Sequence, residues 1–253
     1  MPLPPLPAVA LYSGLILLGA LLGAGIPLIR GPHRHTGTWL AFAAGVMLGA
    51  AFFHLLPEAI HQGSLRILPW VVAGFAALLV LERFAFTHAC EEPPDCAEHA
   101  AALNVGLSAM LGLCAHTLFD GVALGASVAE GVAFTAATAI TAHKIPSSFS
   151  LAAILQAEGK DRRTILQSVT LLALMVPLGA GLFFLVQGWF SLKAVAPGAL
   201  AFSSGTFLYI AVSDLLPQVS RHGKDRRLSH LGGLALGLAV MGGLAMISGH
   251  SHG

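Results

Sequence analysis

Long apolar segments alternate with short polar ones along this 253-residue chain. A helix needs about 20 mostly apolar residues to cross the hydrocarbon core of a bilayer. Only 10% of the residues are charged, against about 25% in soluble domains. The pattern predicts an all-α polytopic membrane protein, one domain over residues 1–253, with eight transmembrane helices at roughly Leu6–Ile29, Trp39–Ile60, Ile67–Phe86, Leu103–Ala129, Val132–Ala157, Ile165–Gln187, Val195–Val219 and Leu231–Ser248.

The lysines and arginines are distributed unevenly among the predicted loops. Ten lie in the first, third, fifth and seventh loops, and only Arg66 and Lys193 lie in the others. Because cytoplasmic loops carry the excess of basic residues, we expect the odd-numbered loops in the cytoplasm and both termini outside. No basic residue precedes the first apolar segment, so we expect a membrane helix there rather than a cleaved signal peptide.

The second and seventh segments are similar to one another. The second contains AAGVMLGAAFFHLLPEA, from Ala43, and the seventh contains SSGTFLYIAVSDLLPQV, from Ser203, with matched positions 160 residues apart. The two segments run in opposite directions in the expected topology, which predicts an inverted repeat of helices 1–3 and 6–8 around helices 4 and 5. Inverted repeats are typical of alternating-access transporters. The alternative is a chance match in a leucine-rich chain.

Polar side chains interrupt the fourth and fifth segments near their middles. His116 and Asp120 lie one turn apart on one face of helix 4, and His143 and Ser147 repeat that spacing on helix 5, where Lys144 adds a charge. An ionisable side chain in hydrocarbon costs about 2.5 kcal/mol or more, so such residues indicate a function. Imidazole, carboxylate and hydroxyl groups at one depth predict a divalent-cation site. The alternative is a pair of core histidines bonded to the backbone.

Both polar helices also carry a residue that weakens helical structure. Gly121 follows Asp120, and Pro146, which has no N–H to donate, precedes Ser147. We therefore expect an interruption or kink in each helix beside the polar groups, as in transporters whose substrate sites lie at discontinuous helices.

Other polar residues lie towards the ends of helices 2 and 7. His54 and Glu58 are one turn apart near the outer end of helix 2, where they either receive metal at an entrance or cap the helix. Asp214 occupies the matching place at the inner end of helix 7 and is a candidate exit ligand. Met47 is either a ligand or a core residue, since methionine commonly fills irregular gaps.

The third loop, at about residues 87–102, is the longest polar stretch. It holds four acidic residues and four metal-binding side chains: His88, Cys90, Cys96 and His99. Their spacing is not that of a structural zinc site. The loop is therefore either a weak metal-handling segment or a plain solvated linker.

These motifs resemble those of the ZIP (Zrt/Irt-like) family of divalent-metal transporters. The similarity rests on HTLFDGVALGAS in helix 4, HKIPSSFSLA in helix 5, GVMLGAAFFHLLPEA in helix 2 and SGTFLYIAVSDLLPQ in helix 7. Eight spans, outside termini and a His-bearing third loop agree with it. The resemblance implies His116, Asp120 and His143 as ligands, Met47 lining the site, and an elevator mechanism in which one helix block slides against the other.

Two residues depart from the family pattern. Ser147 stands where the family often has a glutamate, and Lys144 replaces an acid that serves a second metal. We therefore expect one bound metal, with Lys144 either replacing the second cation or forming a simple ion pair with Asp120. The positions at which a second metal or its substitute would lie are Thr117, Lys144, Ser148 and Gln167.

The leading functional hypothesis is a transporter that moves Zn²⁺, or alternatively Fe²⁺, Mn²⁺ or Cd²⁺, into the cytoplasm. The metal is cargo, so we expect no cofactor and no enzymatic activity. The rival is a membrane-embedded zinc hydrolase, which needs three firm ligands, an open water position and a general base. No HExxH motif is present, and Asp120 is already used as a ligand. Expected partners are divalent metal ions and the lipid bilayer, not nucleic acid, and a homodimer is left open.

Overall fold

The predicted apolar segments all form helices. A computed structural model describes residues 5–30, 36–85, 105–187, 192–221 and 227–249, which fold into eight helical rods. In chain order these are α1 (Pro5–Arg30), α2 (Thr36–Gly49, Ala50–Leu55 and Leu56–Gly63), α3 (Leu68–Ala85), α4 (Val105–Glu130), α5 (Ala133–Ala157), α6 (Arg162–Val186), α7 (Leu192–Tyr209, Ile210–Leu215 and Leu216–Arg221) and α8 (Arg227–Gly249).

Seven of the eight described rods are both long and apolar enough to cross a membrane, and α5 is the exception. With 25 residues it is about 37 Å long, which exceeds the roughly 30 Å of a hydrocarbon core. Its composition is more polar because it lies inside the bundle, packed against α1, α2, α4 and α6. Helices rather than lipid surround its polar groups from His143 to Ser150.

α2 and α7 each contain a π-helical turn. The turns are Ala50–Leu55 and Ile210–Leu215, and the N–H group after each donates to a carbonyl five residues back. Pro57 and Pro217 follow closely and have no N–H to continue an ordinary helical ladder. The extra residue of a π turn allows the rod to continue past the proline. The two turns are 160 positions apart, like the rest of the matched segments.

Helices 4 and 5 are not interrupted at the predicted places, and a kink beside the polar groups stays a prediction. α4 continues as α-helix through Gly121, and α5 continues through Pro146. Gly121 serves close packing instead: a Cβ atom there would lie 2.2 Å from a carbonyl oxygen of α6, and one at Gly179 would lie 2.1 Å from a carbonyl oxygen of α4. The missing side chains allow the two backbones to touch directly beside the polar residues of α4.

The rods pack mainly in pairs. α1 lies along α5 and α4 along α6, whereas α2 lies along α8 and α3 along α7. The last two pairs cross at glycines that leave no room for a Cβ atom, Gly45 with Gly237 and Gly205 with Gly74. α5 also touches α2, and α4 touches α7. α4 and α5 therefore lie at the interface at which the first two pairs meet the last two.

Candidate metal site

Three of the residues predicted as metal ligands meet inside the bundle. His116 and Asp120 come from α4 and His143 from α5, and one ligand atom of each lies within 4.8 Å of the others. His116 Nε2 is 3.4 Å from Asp120 Oδ1, and His143 Nε2 is 3.3 Å from Asp120 Oδ2. All three side chains are buried. The structure therefore brings together the two helices' polar faces around one carboxylate.

These spacings suit a small tetrahedral metal ion. Zn²⁺ binds imidazole nitrogen and carboxylate oxygen at about 2.0–2.1 Å, so neighbouring ligand atoms of a tetrahedral site lie roughly 3.3 Å apart. Each histidine nitrogen stands at nearly that distance from an oxygen of Asp120, at 3.4 and 3.3 Å. Zn²⁺ binds well to a site of two imidazoles and one carboxylate. Cations that prefer oxygen ligands alone, such as Mg²⁺, bind such a site poorly.

The outer nitrogens of the two rings have no protein partner. Nδ1 of His116 and Nδ1 of His143 are buried, and neither forms a hydrogen bond with any described residue. Buried polar atoms nearly always have a partner. Nε2 of each ring lies next to Asp120, and Nδ1 is the nitrogen without a partner among the described residues. A histidine that binds a metal through one nitrogen usually donates the N–H of the other to a carboxylate, a carbonyl group or a water molecule, and none of the described residues fills that place here.

Lys144 occupies the other side of the same carboxylate. Its Nζ lies 3.1 Å from Asp120 Oδ2 and donates to Thr117 Oγ1 at 2.6 Å. The side chain is almost completely buried, with 1% of its surface exposed. An ammonium group has three donors and no lone pair while it is protonated. The structure therefore places the Lys144 amine between Asp120 and Thr117, where it brings a positive charge and no ligand while it is protonated.

A second wall of the site comes from α2 and α7. The ring of His54, in the π turn of α2, has its centroid 4.9 Å from that of His143, and the ring of Phe207 on α7 lies 5.1 Å from that of His116. Met47 is fully buried within the apolar core, which fits the packing alternative for this residue. His54 was predicted to receive metal at an entrance or to cap the helix, and the structure brings its ring next to that of His143.

The serines of α5 are buried beside His143 but already use part of their hydrogen-bonding capacity. Ser147 Oγ donates to the carbonyl oxygen of His143, one turn earlier. The hydroxyl proton of Ser147 is used in this hydrogen bond, and its oxygen still has lone pairs with which to bind a metal. Ser148 Oγ is fully buried and has no hydrogen-bond partner among the described residues.

Asp214 lies outside this cluster, in an acidic group that the sequence analysis missed. Its buried carboxyl group lies near that of Glu82 on α3, and its Oδ2 has no hydrogen-bond partner among the described residues. Tyr209 Oη donates to Glu82 Oε2 at 2.6 Å. The sequence signal for Glu82 was an acid in the last turn of an apolar segment.

The remaining predicted positions are more peripheral. Glu58 is exposed on α2 and accepts a hydrogen bond from Gln62 Nε2 at 2.6 Å. Gln167 is on the exposed face of α6, so the geometry gives no support for a second-metal role at that position. The loop positions, residues 88, 90, 96 and 99, lie outside the described part of the chain.

Comparison with known proteins gives the family. A family model described as ZIP Zinc transporter matches residues 85–245, and zinc transporter ZIP13 of Rattus norvegicus is 32% identical over 244 residues, covering 77% of this chain and 67% of that protein. The chain belongs to the ZIP zinc transporter family. ZIP proteins are transporters and not enzymes, which removes the hydrolase alternative.

Other ZIP relatives show similar levels of identity. Zinc transporter ZIP9-B of Xenopus laevis is 33% identical over 198 residues, and human zinc transporter ZIP13 is 31% identical over 276 residues. The chain spans 65% of the length of ZIP9-B, about two thirds of it. The ZIP match contains all three clustered ligand candidates, whereas His54 and Met47 precede it.

Proposed function

We propose that this ZIP protein carries divalent transition-metal ions, above all Zn²⁺, into the cytoplasm through a site formed by His116, Asp120 and His143. The buried cluster of these three residues is the observation that carries the proposal, because its donor types and spacings match a tetrahedral zinc ion. The family supports zinc as the cargo. The nitrogen ligands make Mg²⁺ and Ca²⁺ poor substrates.

The transport site holds one metal ion at a time. The Lys144 ammonium, bonded to Asp120 and Thr117, occupies the side of the carboxylate that a second cation would need. Its charge balances Asp120 in the way that a second cation would. A bare second Zn²⁺ at that place would meet a buried positive charge at close range.

An inverted repeat supports transport by alternating access. The π turns of α2 and α7 are 160 positions apart, and so are the glycines Gly45 and Gly205 at which these rods cross α8 and α3. The ligands come from α4 and α5 alone, whereas α2 and α7 supply the facing wall. In this proposal α1, α4, α5 and α6 slide as one block past α2, α3, α7 and α8, with both termini outside the cell.

Metal flux into proteoliposomes tests the proposed cargo. We expect uptake of Zn²⁺ and, at other rates, of Cd²⁺, Fe²⁺ or Mn²⁺, and no uptake of Mg²⁺ or Ca²⁺ above that of empty vesicles. Cells that express the protein should show a rise in cytoplasmic zinc, which tests the direction. Transport of Mg²⁺ at the rate of Zn²⁺, or no transition-metal flux from folded protein, would exclude the proposed function.

His54 should guide metal towards the central ligands. Because its ring packs on that of His143, we expect His54→Ala to weaken the apparent affinity for zinc about ten-fold, in the range found for residues that support metal ligands. Zinc uptake at increasing zinc concentration measures this. The matched control is His61→Ala, which removes an exposed histidine from the same rod. Equal effects of the two substitutions would disprove a role of His54 at the site.

A further inference from the structure

The exposed face of α6 carries a groove that the transport function does not use. Its volume is about 690 Å³. Arg162 and Arg163 lie at its end nearest the α6 N-terminus, and Leu171 and Leu174 line the far end. The middle is lined by Leu166, Gln167 and Thr170. The groove is therefore cationic at one end, mixed in the middle and apolar at the other end, along a single helix.

The two arginines lack a protein counter-charge among the described residues. No ion pair there includes Arg162 or Arg163. The neighbouring carboxylate, Asp161, caps the helix and accepts hydrogen bonds from Arg163 N and from the backbone and side chain of Thr164. Both guanidinium groups are exposed. They form a site of positive charge that is open to an anion from outside the protein.

The leucines of the groove face away from the bundle. Leu171 is 50% exposed and Leu174 49% exposed, whereas Val169 and Leu172 on the opposite face are fully buried. Because α6 is apolar and of spanning length, its exposed leucines lie against lipid chains in a membrane. Nine to twelve residues of helix separate them from Arg162, which is about 13–18 Å along the axis. A ligand that fills the groove must therefore combine an anionic end with an apolar chain.

We propose that this groove binds one anionic glycerophospholipid. Its phosphate lies between Arg162 and Arg163, its glycerol esters lie beside Gln167 and Thr170, and an acyl chain covers Leu171 and Leu174. The guanidinium fork suits phosphate oxygens better than a point charge does. In the proposed orientation this end of α6 lies in the cytoplasmic leaflet, where anionic lipids create the negative surface potential. Gln167 thereby gains a role that fits its exposed position.

Lipid binding to the purified full-length protein tests this proposal. Native mass spectrometry would compare phosphatidylglycerol with phosphatidylcholine of the same acyl chains, at low ionic strength. We expect the protein to prefer phosphatidylglycerol and Arg162→Gln/Arg163→Gln to weaken its binding roughly 30-fold, since each arginine near an anionic surface contributes about five-fold. The control is Arg66→Gln/Arg227→Gln, which removes the same charge from exposed positions outside the groove and should retain the preference.

Further outcomes distinguish binding of a lipid from binding of a soluble anion and from general attraction to surface charge. Zinc uptake in phosphatidylcholine vesicles checks that both double variants remain folded. An equal loss of binding in the control variant would overturn the proposal in favour of general surface charge. Displacement of the lipid by millimolar inorganic phosphate would assign the arginines to a soluble anion instead. Equal binding of the two lipids by the parent protein would show that the groove is not a site for anionic lipid.

Discussion

We expect His116→Ala to reduce zinc uptake to the level of empty vesicles while the protein remains folded in the membrane. The substitution removes one of the three clustered ligand candidates, His116, Asp120 and His143. Loss of groups that merely support metal ligands already weakens binding by 10–100-fold in other metal sites, so losing a ligand should weaken it by at least about 100-fold. His143→Ala should have the same effect. Radioactive zinc uptake into proteoliposomes, with the amount of folded protein determined in parallel, measures both.

The matched control for these variants is His230→Ala. His230 is a buried histidine on α8 and takes no part in the cluster. It should keep near-normal uptake, which separates loss of a ligand from loss of any buried imidazole. A well-folded His116→Ala variant that still transports zinc at the parent rate would refute the site.

Asp120 needs a different design because it also neutralises Lys144. Asp120→Ala alone leaves a buried ammonium without its counter-charge, and breaking a buried ion pair from one side costs about 3–5 kcal/mol. The double variant Asp120→Ala/Lys144→Met removes both charges together. We expect that variant to fold and yet to lose uptake as completely as His116→Ala.

The second large effect concerns the number of metal ions bound. We expect one metal per transport site in the parent protein, and two in Lys144→Asp/Ser147→Glu. That double variant replaces the ammonium 3.1 Å from Asp120 by carboxylates, whose mutual repulsion a second cation would relieve. Metal analysis of purified protein measures the ratio, with the loop residues His88, Cys90, Cys96 and His99 removed in every sample so that they do not contribute.

The control variant for the metal count has neutral side chains at the same two positions. Lys144→Met/Ser147→Gln also removes the ammonium but adds no carboxylate, so it should not gain a second metal. Two metals at the site of the parent would contradict the role assigned to Lys144. A folded Lys144→Asp/Ser147→Glu variant that still holds one metal would contradict it equally.

Much of the candidate site could be predicted because helix geometry determines it locally. Residues four apart share a helix face, so His116 and Asp120 had to lie together once helix 4 was recognised. The similarity of helices 2 and 7 predicted that helices 4 and 5 lie between the two halves of the bundle. The contact between Lys144 and Asp120 also follows from two opposite charges at one depth in an apolar environment.

The incorrect or missing predictions concern how helices rotate and pack. α6 is apolar on most sides, so its sequence does not reveal which face is exposed, and Gln167 was expected to face the site. Its rotation is set by Gly179 meeting the backbone of α4, a contact between distant parts of the chain. Gly121 was interpreted as a helix breaker because its close contact with the backbone of α6 is likewise between distant parts of the chain. His54 reaches His143 from a π turn, and an extra residue in a turn leaves no simple periodicity.

The ion pair of Asp120 and Lys144 also determines the electrical behaviour of the transporter. With neutral histidines, one carboxylate and one ammonium make the empty site electrically neutral, whereas a bound Zn²⁺ gives it two positive charges. If the loaded site crosses the whole membrane field, an inside-negative potential favours inward movement by about 4.6 kcal/mol per 100 mV. The neutral empty site then returns without work against the membrane potential. Zinc uptake should therefore carry a current and increase with membrane potential, with no need for a second transported ion.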